Sequence, residues 1–207
     1  MSKYPKEYYN RYKNFDYSRL NDYIVANLRR SSEGPSPKLK VTVDLGCGIG
    51  RLIYNLKDYS ERSIGIDISP DALEIATRDK VGVFFVLGDG LKLPLKDSIC
   101  DMCTCIHVLE HIREADLLLE ELHRIMTING RVIFITPNKR WSRFALPFLK
   151  DETHVKEFVI DELKPLISRY FYIEEVKSFS MFTHFGIFNP VLNTLVRPDI
   201  YICCIKK

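Results

Sequence analysis

The 207-residue sequence contains no long Lys/Arg block, no internal repeat and no low-complexity tract. Nor does any apolar run approach the roughly 18 residues that a membrane-spanning helix requires. Each absence removes a class. With 30 Lys and Arg set against 27 Asp and Glu, the net charge of +3 is spread along the chain and lacks the basic stripe of a dedicated nucleic-acid binder. The opening residues, MSKYPKEYYNRYKNF, hold no continuous apolar stretch suited to secretion, so a soluble, cytoplasmic protein is the expectation. Wholesale disorder is excluded as well: 46% hydrophobic and 28% charged residues are an ordinary globular balance, and the length suits one sizeable core.

Cysteine is present, but not in a metal-binding arrangement. Of Cys47, Cys100, Cys103, Cys105, Cys203 and Cys204, only Cys100 and Cys103 have C-x-x-C spacing, and no second such pair completes a zinc site. Strand parity predicts that these two point to opposite faces, and the cysteines read as small buried apolar residues.

Residues 5–30 carry Tyr9, Tyr12, Leu20, Tyr23, Ile24 and Leu28 at mixed helical spacing, and Gly34, Pro35 and Pro37 then break the pattern. This predicts a helical arm and linker over 1–38 and a main domain over 39–207. In that domain β-branched runs alternate with helical stretches: LKVTVDL, a helix from about residue 50, SIGIDI, a helix opening at Ser69 and Pro70, then VGVFFVL. Ser69 is placed to cap its helix, with Pro70 in the first turn where a missing N–H costs nothing. ICDMCTCI follows, then a helix with Leu118, Leu122, Ile125 and Met126 on one face, stopped by Asn129 and Gly130. RVIFITP, a helix near 160–169, and the runs FYIEEVKSF and IYICCIKK complete an alternation that predicts a parallel sheet of the α/β class.

The stretch VTVDLGCGIGRLI puts glycine at 46, 48 and 50, between a strand and a helix, where bare backbone can press against a ligand. A dinucleotide fingerprint needs its third glycine at 51 or 53, and those positions hold Arg51 and Ile53. The string is instead D-x-G-x-G-x-G. With GIDIS, VLGDG, CIHVLEHI and TINGRVIFITPN following in order, the chain resembles class I S-adenosylmethionine-dependent methyltransferases, strongly over 40–137 and loosely over 150–207.

The resemblance implies a Rossmann-like, seven-stranded, mostly parallel sheet with helices on both faces, its antiparallel last strand inserted between the fifth and sixth. It also implies S-adenosylmethionine as cofactor and S-adenosylhomocysteine as product. The methionine part would lie over Gly46, Cys47, Gly48 and Gly50, with Cys47 filling space and Asp44 suited to the α-ammonium group. Asp67, followed by Ile68, would accept the ribose hydroxyls, and Asp89 with Gly90 and Leu91 would meet the adenine. Cys105 and Ile106 at the end of the fourth strand would complete the lining. Singly, each piece has another explanation: a tight strand-to-helix turn, a helix cap at Asp67, an ordinary turn at Asp89 and Gly90. Their occurrence in order at strand ends, where open α/β sheets bind ligands, favours the cofactor.

For the acceptor side the candidates are His107, His111 and His154, with Glu110. The block His107-x-x-Glu110-His111 with a distant His154 resembles the E-x-x-E-H plus His cluster of metal-dependent methyltransferases acting on small-RNA 3′ ends and in the ubiquinone pathway. Histidine in place of the first glutamate suits zinc, iron or manganese better than magnesium. Without a metal, one histidine serves as general base while Glu110 and His111 only cap and pack. Aromatic segments border the ligand end: Tyr8, Tyr9, Tyr12 and Phe15, then Trp141, Phe144 and Phe148, then SMFTHFGIFNP. They suit a small-molecule or lipid-like acceptor, and WSRFALPFLK alternatively rests on a membrane surface. Competing readings are metal-assisted 2′-O-methylation of RNA, a nicotinamide-dependent oxidoreductase, and a non-catalytic cofactor-binding subunit.

Overall fold

The computed structural model describes residues 9, 17–30, 38–79, 81–142, 153–179 and 199–207. The N-terminal helix α1 (Ser18–Arg30) precedes β1 (Leu39–Leu45), α2 (Arg51–Leu56), β2 (Ser60–Asp67), α3 (Pro70–Asp79) and β3 (Phe84–Leu87). Then come β4 (Cys100–Ile106), α4 (Ala115–Ile125), β5 (Met126–Pro137), the short α5 (Lys139–Ser142), α6 (Ile160–Ser168), β6 (Phe171–Phe179) and β7 (Asp199–Lys206).

The seven strands form one sheet in the order β3-β2-β1-β4-β5-β7-β6. Strands β1 to β5 pair in parallel, whereas β7 runs antiparallel to β5 on one side and to β6 on the other. The expected insertion of the last strand is therefore what the chain does, with Arg131↔Ile205 through Pro137↔Asp199 in register. From β1 the chain winds outward through β2 and β3, then returns to lay β4 on the other side of β1. The crevice at such a reversal, beyond the carboxyl ends of the strands, is where open α/β sheets take ligands.

Both faces of the sheet are covered, which is why its strands read as apolar runs and not as strict alternation. On one face Leu118, Leu119, Leu122 and Ile125 of α4, with Leu163 and Ile167 of α6, pack on Val41, Val43, Leu45, Val132, Phe134, Ile200 and Ile202. On the other, Leu20, Ile24 and Val25 of α1 and Leu52 and Leu56 of α2 cover Met102, Ile133, Ile135 and Tyr201. Helix α1 is further held by Lys177 Nζ, which donates to the Tyr23 hydroxyl at 3.0 Å, and by the edge of Tyr201 at 5.6 Å from the Tyr23 ring. Among the described residues no helix is long and apolar enough to cross a membrane.

Two local expectations are corrected. Helix α4 stops at Ile125, and Met126 already pairs with Cys100 in β5; Asn129, at φ 64°, is a kink inside the strand segment and not a helix stop. The β-branched Thr127 secures the early switch by donating its hydroxyl to the Cys100 carbonyl at 3.1 Å. Second, a register shift between Cys100 and Met102 undoes the parity argument: Cys100, Cys103 and Cys105 all enter the α4 core, while Met102 faces α1. All six cysteines are free and buried, as small apolar fillers should be.

Candidate active site

The glycine turn is stitched to the end of β2. The amides of Gly46 and Cys47 both donate to the Ile66 carbonyl, at 2.8 and 3.0 Å, and the Gly48 amide donates to Asp67 Oδ2 at 2.7 Å. Gly46 must be glycine twice over: its φ is +72°, and a Cβ would lie 2.3 Å from Val108 Cγ2 beyond β4. The turn is thus wedged between the ends of β2 and β4. Cys47 packs with Ile53 and Leu73, the space-filling part expected of it.

Asp44 and Asp67 flank this turn. Asp44, only 3% exposed, accepts the Thr104 hydroxyl at 2.6 Å from the neighbouring strand. Burial raises its pKa to about 7 against the opposing Thr104 bond, and the charge of Asp67 adds to the rise. Asp67 is also raised by burial, although amides of Ser69 and Gly48 donate to it. No cation among the described residues meets either carboxylate. Two adjacent buried acids without a counter-charge, at the reversal of strand order, form a site that favours a cationic ligand.

Beyond Asp67, Ile68 is 58% exposed, a large apolar side chain facing outward at the carboxyl end of β2. Asp89 is exposed and folds back, accepting the Leu91 amide at 2.9 Å, while the Gly88 amide donates to the Asp67 carbonyl. Gly90 is pressed toward Leu118 and Leu91 packs on the α4 core, so both shape the wall. The Cys105 side chain is enclosed in that core and leaves only backbone for a ligand; Ile106 is half-buried on the opposite face. The segment after β3 is pinned by Arg124 of α4, which donates to the carbonyls of Leu93 and Leu95 and to Asp97 and Glu121.

At the end of β4, the acceptor-side candidates gather on Glu110. This fully buried carboxylate meets His107 Nδ1 at 2.9 Å through one oxygen and accepts the Thr136 hydroxyl at 2.9 Å through the other. Burial alone would raise its pKa, but the His107 hydrogen bond and charge prevail and hold it below the ordinary carboxylate value. His107 adopts φ 52°, an uncommon conformation outside glycine, and its Nε2 lies 4.0 Å from Asp199 of β7. His111 Nδ1 donates to the Thr153 carbonyl at 3.1 Å, and His154 Nδ1 meets Glu157 at 3.2 Å. These contacts leave each neutral imidazole with its lone pair on Nε2. The two rings sit edge to face, centroids 5.0 Å apart. The amides of Val155 and Lys156 donate to the Glu110 carbonyl at 2.7 and 3.0 Å, clamping the His154 loop to this block. Glu110, His111 and His154 each present a ligand atom within 4.8 Å of the others.

Thr104, Thr136 and Asp199 join the site through strand register and Val108 through the turn after β4; no local motif marks any of them. Of the aromatic candidates Tyr9 lies on the glycine turn. Tyr8, Tyr12, Phe15, Phe144, Phe148 and residues 180–190 fall outside the described residues, as does the Trp141 side chain.

A sequence profile for a methyltransferase domain matches residues 43–134. The norajmaline N-methyltransferase of Rauvolfia serpentina is 28% identical over 141 residues, 63% of this chain and 48% of that one. The malonyl-[acyl-carrier protein] O-methyltransferase of Serratia marcescens is 28% identical over 94 residues, 45% and 37% of the two chains. This chain thus spans less than half the length of either curated relative. An S-adenosylmethionine-dependent methyltransferase from Mesorhizobium loti has the same fold, with TM-score 0.68 at 19% identity over 87% of this chain and 96% of that one. The matched segment encloses the glycine turn, both acids and the strand-order reversal, and over it the chain is similar to methyltransferase domains.

Proposed function

We propose that this chain transfers the methyl group of S-adenosylmethionine to a small-molecule acceptor. The observation that carries the reading is the pair Asp44 and Asp67, buried on either side of the glycine turn with no cation among the described residues to meet them. S-adenosylmethionine is itself a cation at the sulfonium and the α-ammonium, and it supplies an already activated methyl group. The protein's own work is then positional. Asp67 takes ribose hydroxyls, Asp44 takes the ammonium, Ile68 offers the adenine an apolar surface, and the bare turn lets the methionine part lie close. Orientation of an acceptor against the methyl can supply several kcal/mol, up to roughly 7 to 11 in ideal cases.

On the acceptor side, His107 is held between Glu110 and Asp199, which suits it to receive a proton from an acceptor nitrogen or oxygen. The similarity to a norajmaline N-methyltransferase and to a malonyl-[acyl-carrier protein] O-methyltransferase supports a small-molecule acceptor of the N or O type. Calorimetry with S-adenosylhomocysteine and with the nicotinamide dinucleotides tests the cofactor; binding of the dinucleotides alone sinks the reading. Methyl transfer into extracts separated into small molecules, lipids, RNA and protein then identifies the acceptor class. Cofactor binding without transfer to any fraction favours a non-catalytic subunit.

A second reading adds a divalent metal, favoured by the convergence of Glu110, His111 and His154. Two imidazoles tethered through Nδ1 and one charged carboxylate are a donor set for zinc, iron or manganese. Such an ion would supply Lewis acidity toward an acceptor hydroxyl. Elemental analysis of protein purified without chelator, repeated on His111→Ala and His154→Ala, tests it. Metal-free protein whose transfer is indifferent to chelators leaves His107 or His154 as a simple base.

A further inference from the structure

We propose that the methyl acceptor is an anion: a small molecule with a carboxylate or phosphate group that Arg140 and Lys156 hold at the acceptor side of the site. The proposal names the substrate class of the methyl-transfer reading and rests on that reading. The two cations belong to separate segments that the fold joins beside His107. The His107 amide, just past β4, donates to the Ile135 carbonyl of β5 at 2.8 Å, so the ends of these strands lie together. Arg140 stands just beyond Pro137, the last residue of β5. Lys156 lies in the loop clamped to the Glu110 carbonyl, to which its own amide donates at 3.0 Å. Phe158 ties both segments to one spot. Its backbone bridges Asn138 and its carbonyl accepts the Lys139 amide at 2.9 Å, while the Lys156 ammonium sits over its ring, 4.8 Å from the centroid. Buried Asn138 fixes the turn itself, accepting the Arg140 amide on Oδ1 at 3.1 Å.

Exposed lysines and arginines usually do no more than solvate a surface. Here the balance of charge differs. The acids of this block are engaged: Glu110 with His107 and Thr136, Glu157 with His154, and Asp199 is buried beside His107. Arg140 and Lys156 are exposed and make no ion pair among the described residues. The rim of the acceptor side therefore carries positive charge that an anionic acceptor would answer. A guanidinium fork and an ammonium together match the geometry of an oxyacid group. Anchoring that group away from the reacting atom spends binding energy on orienting the nucleophile toward the methyl. Val155, 42% exposed between His154 and Lys156, offers apolar surface to the rest of the molecule.

The test uses the full chain and radiolabelled S-adenosylmethionine, offered two extracts free of protein and nucleic acid, one aqueous and one lipid. Each extract is first split on an anion exchanger into bound and unbound fractions. Label should enter a bound fraction, and the extract it comes from distinguishes a free anion from a lipid headgroup. With that fraction as acceptor, Arg140→Ala combined with Lys156→Ala should lower kcat/KM by about 10- to 100-fold, chiefly through KM, because two charge-assisted contacts are lost. Its affinity for S-adenosylhomocysteine should stay within about twofold of wild type, since neither residue meets the cofactor side. Lys40→Ala, which removes an exposed charge at the opposite end of the sheet, should leave transfer unchanged. Transfer into an unbound fraction overturns the proposal, and so does a double variant that binds S-adenosylhomocysteine normally and keeps wild-type kcat/KM. Should the double variant not fold, the wild-type partition between bound and unbound fractions decides alone. A wild-type chain that labels no fraction overturns the methyl-transfer reading and this proposal with it, so the two failures are distinguishable.

Discussion

The Thr104 hydroxyl stands 2.6 Å from Asp44 Oδ1, one strand away and in direct register. This hydrogen bond offsets part of the cost of burying a carboxylate that no cation among the described residues meets. It does not cancel the burial, which keeps the Asp44 pKa near 7 instead of 3.8.

Cofactor affinity should therefore depend on pH. Below pH 7 Asp44 carries a proton that a bound ammonium must displace, so affinity for S-adenosylhomocysteine should climb by up to about tenfold per pH unit and level off above it. Stability runs the other way. A raised native pKa means that the folded state holds the proton longer, so stability falls as pH rises from 3.8 to about 7 and is flat beyond. Asp44→Asn should remove the pH dependence of binding, weaken binding at pH 8, and raise the melting temperature of the ligand-free protein there. Calorimetry and thermal melts at pH 6, 7 and 8 check both signs.

Asp67→Ala should weaken S-adenosylhomocysteine binding by about 2 to 4 kcal/mol, because the ribose loses a charged acceptor in a nearly buried site. It should also cost about 1 to 3 kcal/mol of stability, since the amides of Gly48 and Ser69 lose their partner. Asp67→Asn keeps one acceptor oxygen and should recover part of the stability but little of the affinity. Affinity unchanged in a folded Asp67→Ala protein would return this residue to a purely structural part.

Among the glycines the order of damage is set by the neighbour. Gly46→Ala meets Val108 at 2.3 Å and needs a positive φ, so a loss of about 2 to 4 kcal/mol is expected. Gly48→Ala has only ordinary contact with Tyr9 and should cost about 1 kcal/mol for its φ. Denaturant melts of the two variants should rank them in that order, and Val108→Ala should partly rescue Gly46→Ala.

Glu110→Gln should lower stability by about 2 to 3 kcal/mol at neutral pH, because a charge-assisted bond to His107 is lost in a fully buried position. The native pKa of Glu110 lies below its ordinary value of 4.5, so its contribution is present above that pH and fades as pH falls through the native pKa. Wild type and Glu110→Gln should therefore converge in acid. A constant difference down to low pH would mean that Glu110 acts by shape alone.

Local chemistry in the sequence was enough for the alternation of strands and helices, the glycine turn, and the acids at the ends of β1 and β2. A strand's alternation, a Ser-Pro helix start and a run of glycines act over a few residues, and those residues are adjacent in the chain. Even the position of the last strand followed from the resemblance those motifs carried. What the sequence could not decide lies wherever two distant segments must meet. Asp44 needs Thr104, Glu110 needs Thr136, and His107 approaches Asp199, each pairing set by strand register across 60, 26 and 92 residues of chain. Likewise, a one-residue irregularity beside Cys100 reversed a parity argument that was sound for a regular strand. Helix α4 ended early because Met126 to Thr127 gained a strand partner, a tertiary contact stronger than the local turn signal at Asn129 and Gly130. The sequence by itself determined which chemical groups the site contains; the tertiary structure decided which of them touch, because register and burial are properties of the assembled sheet.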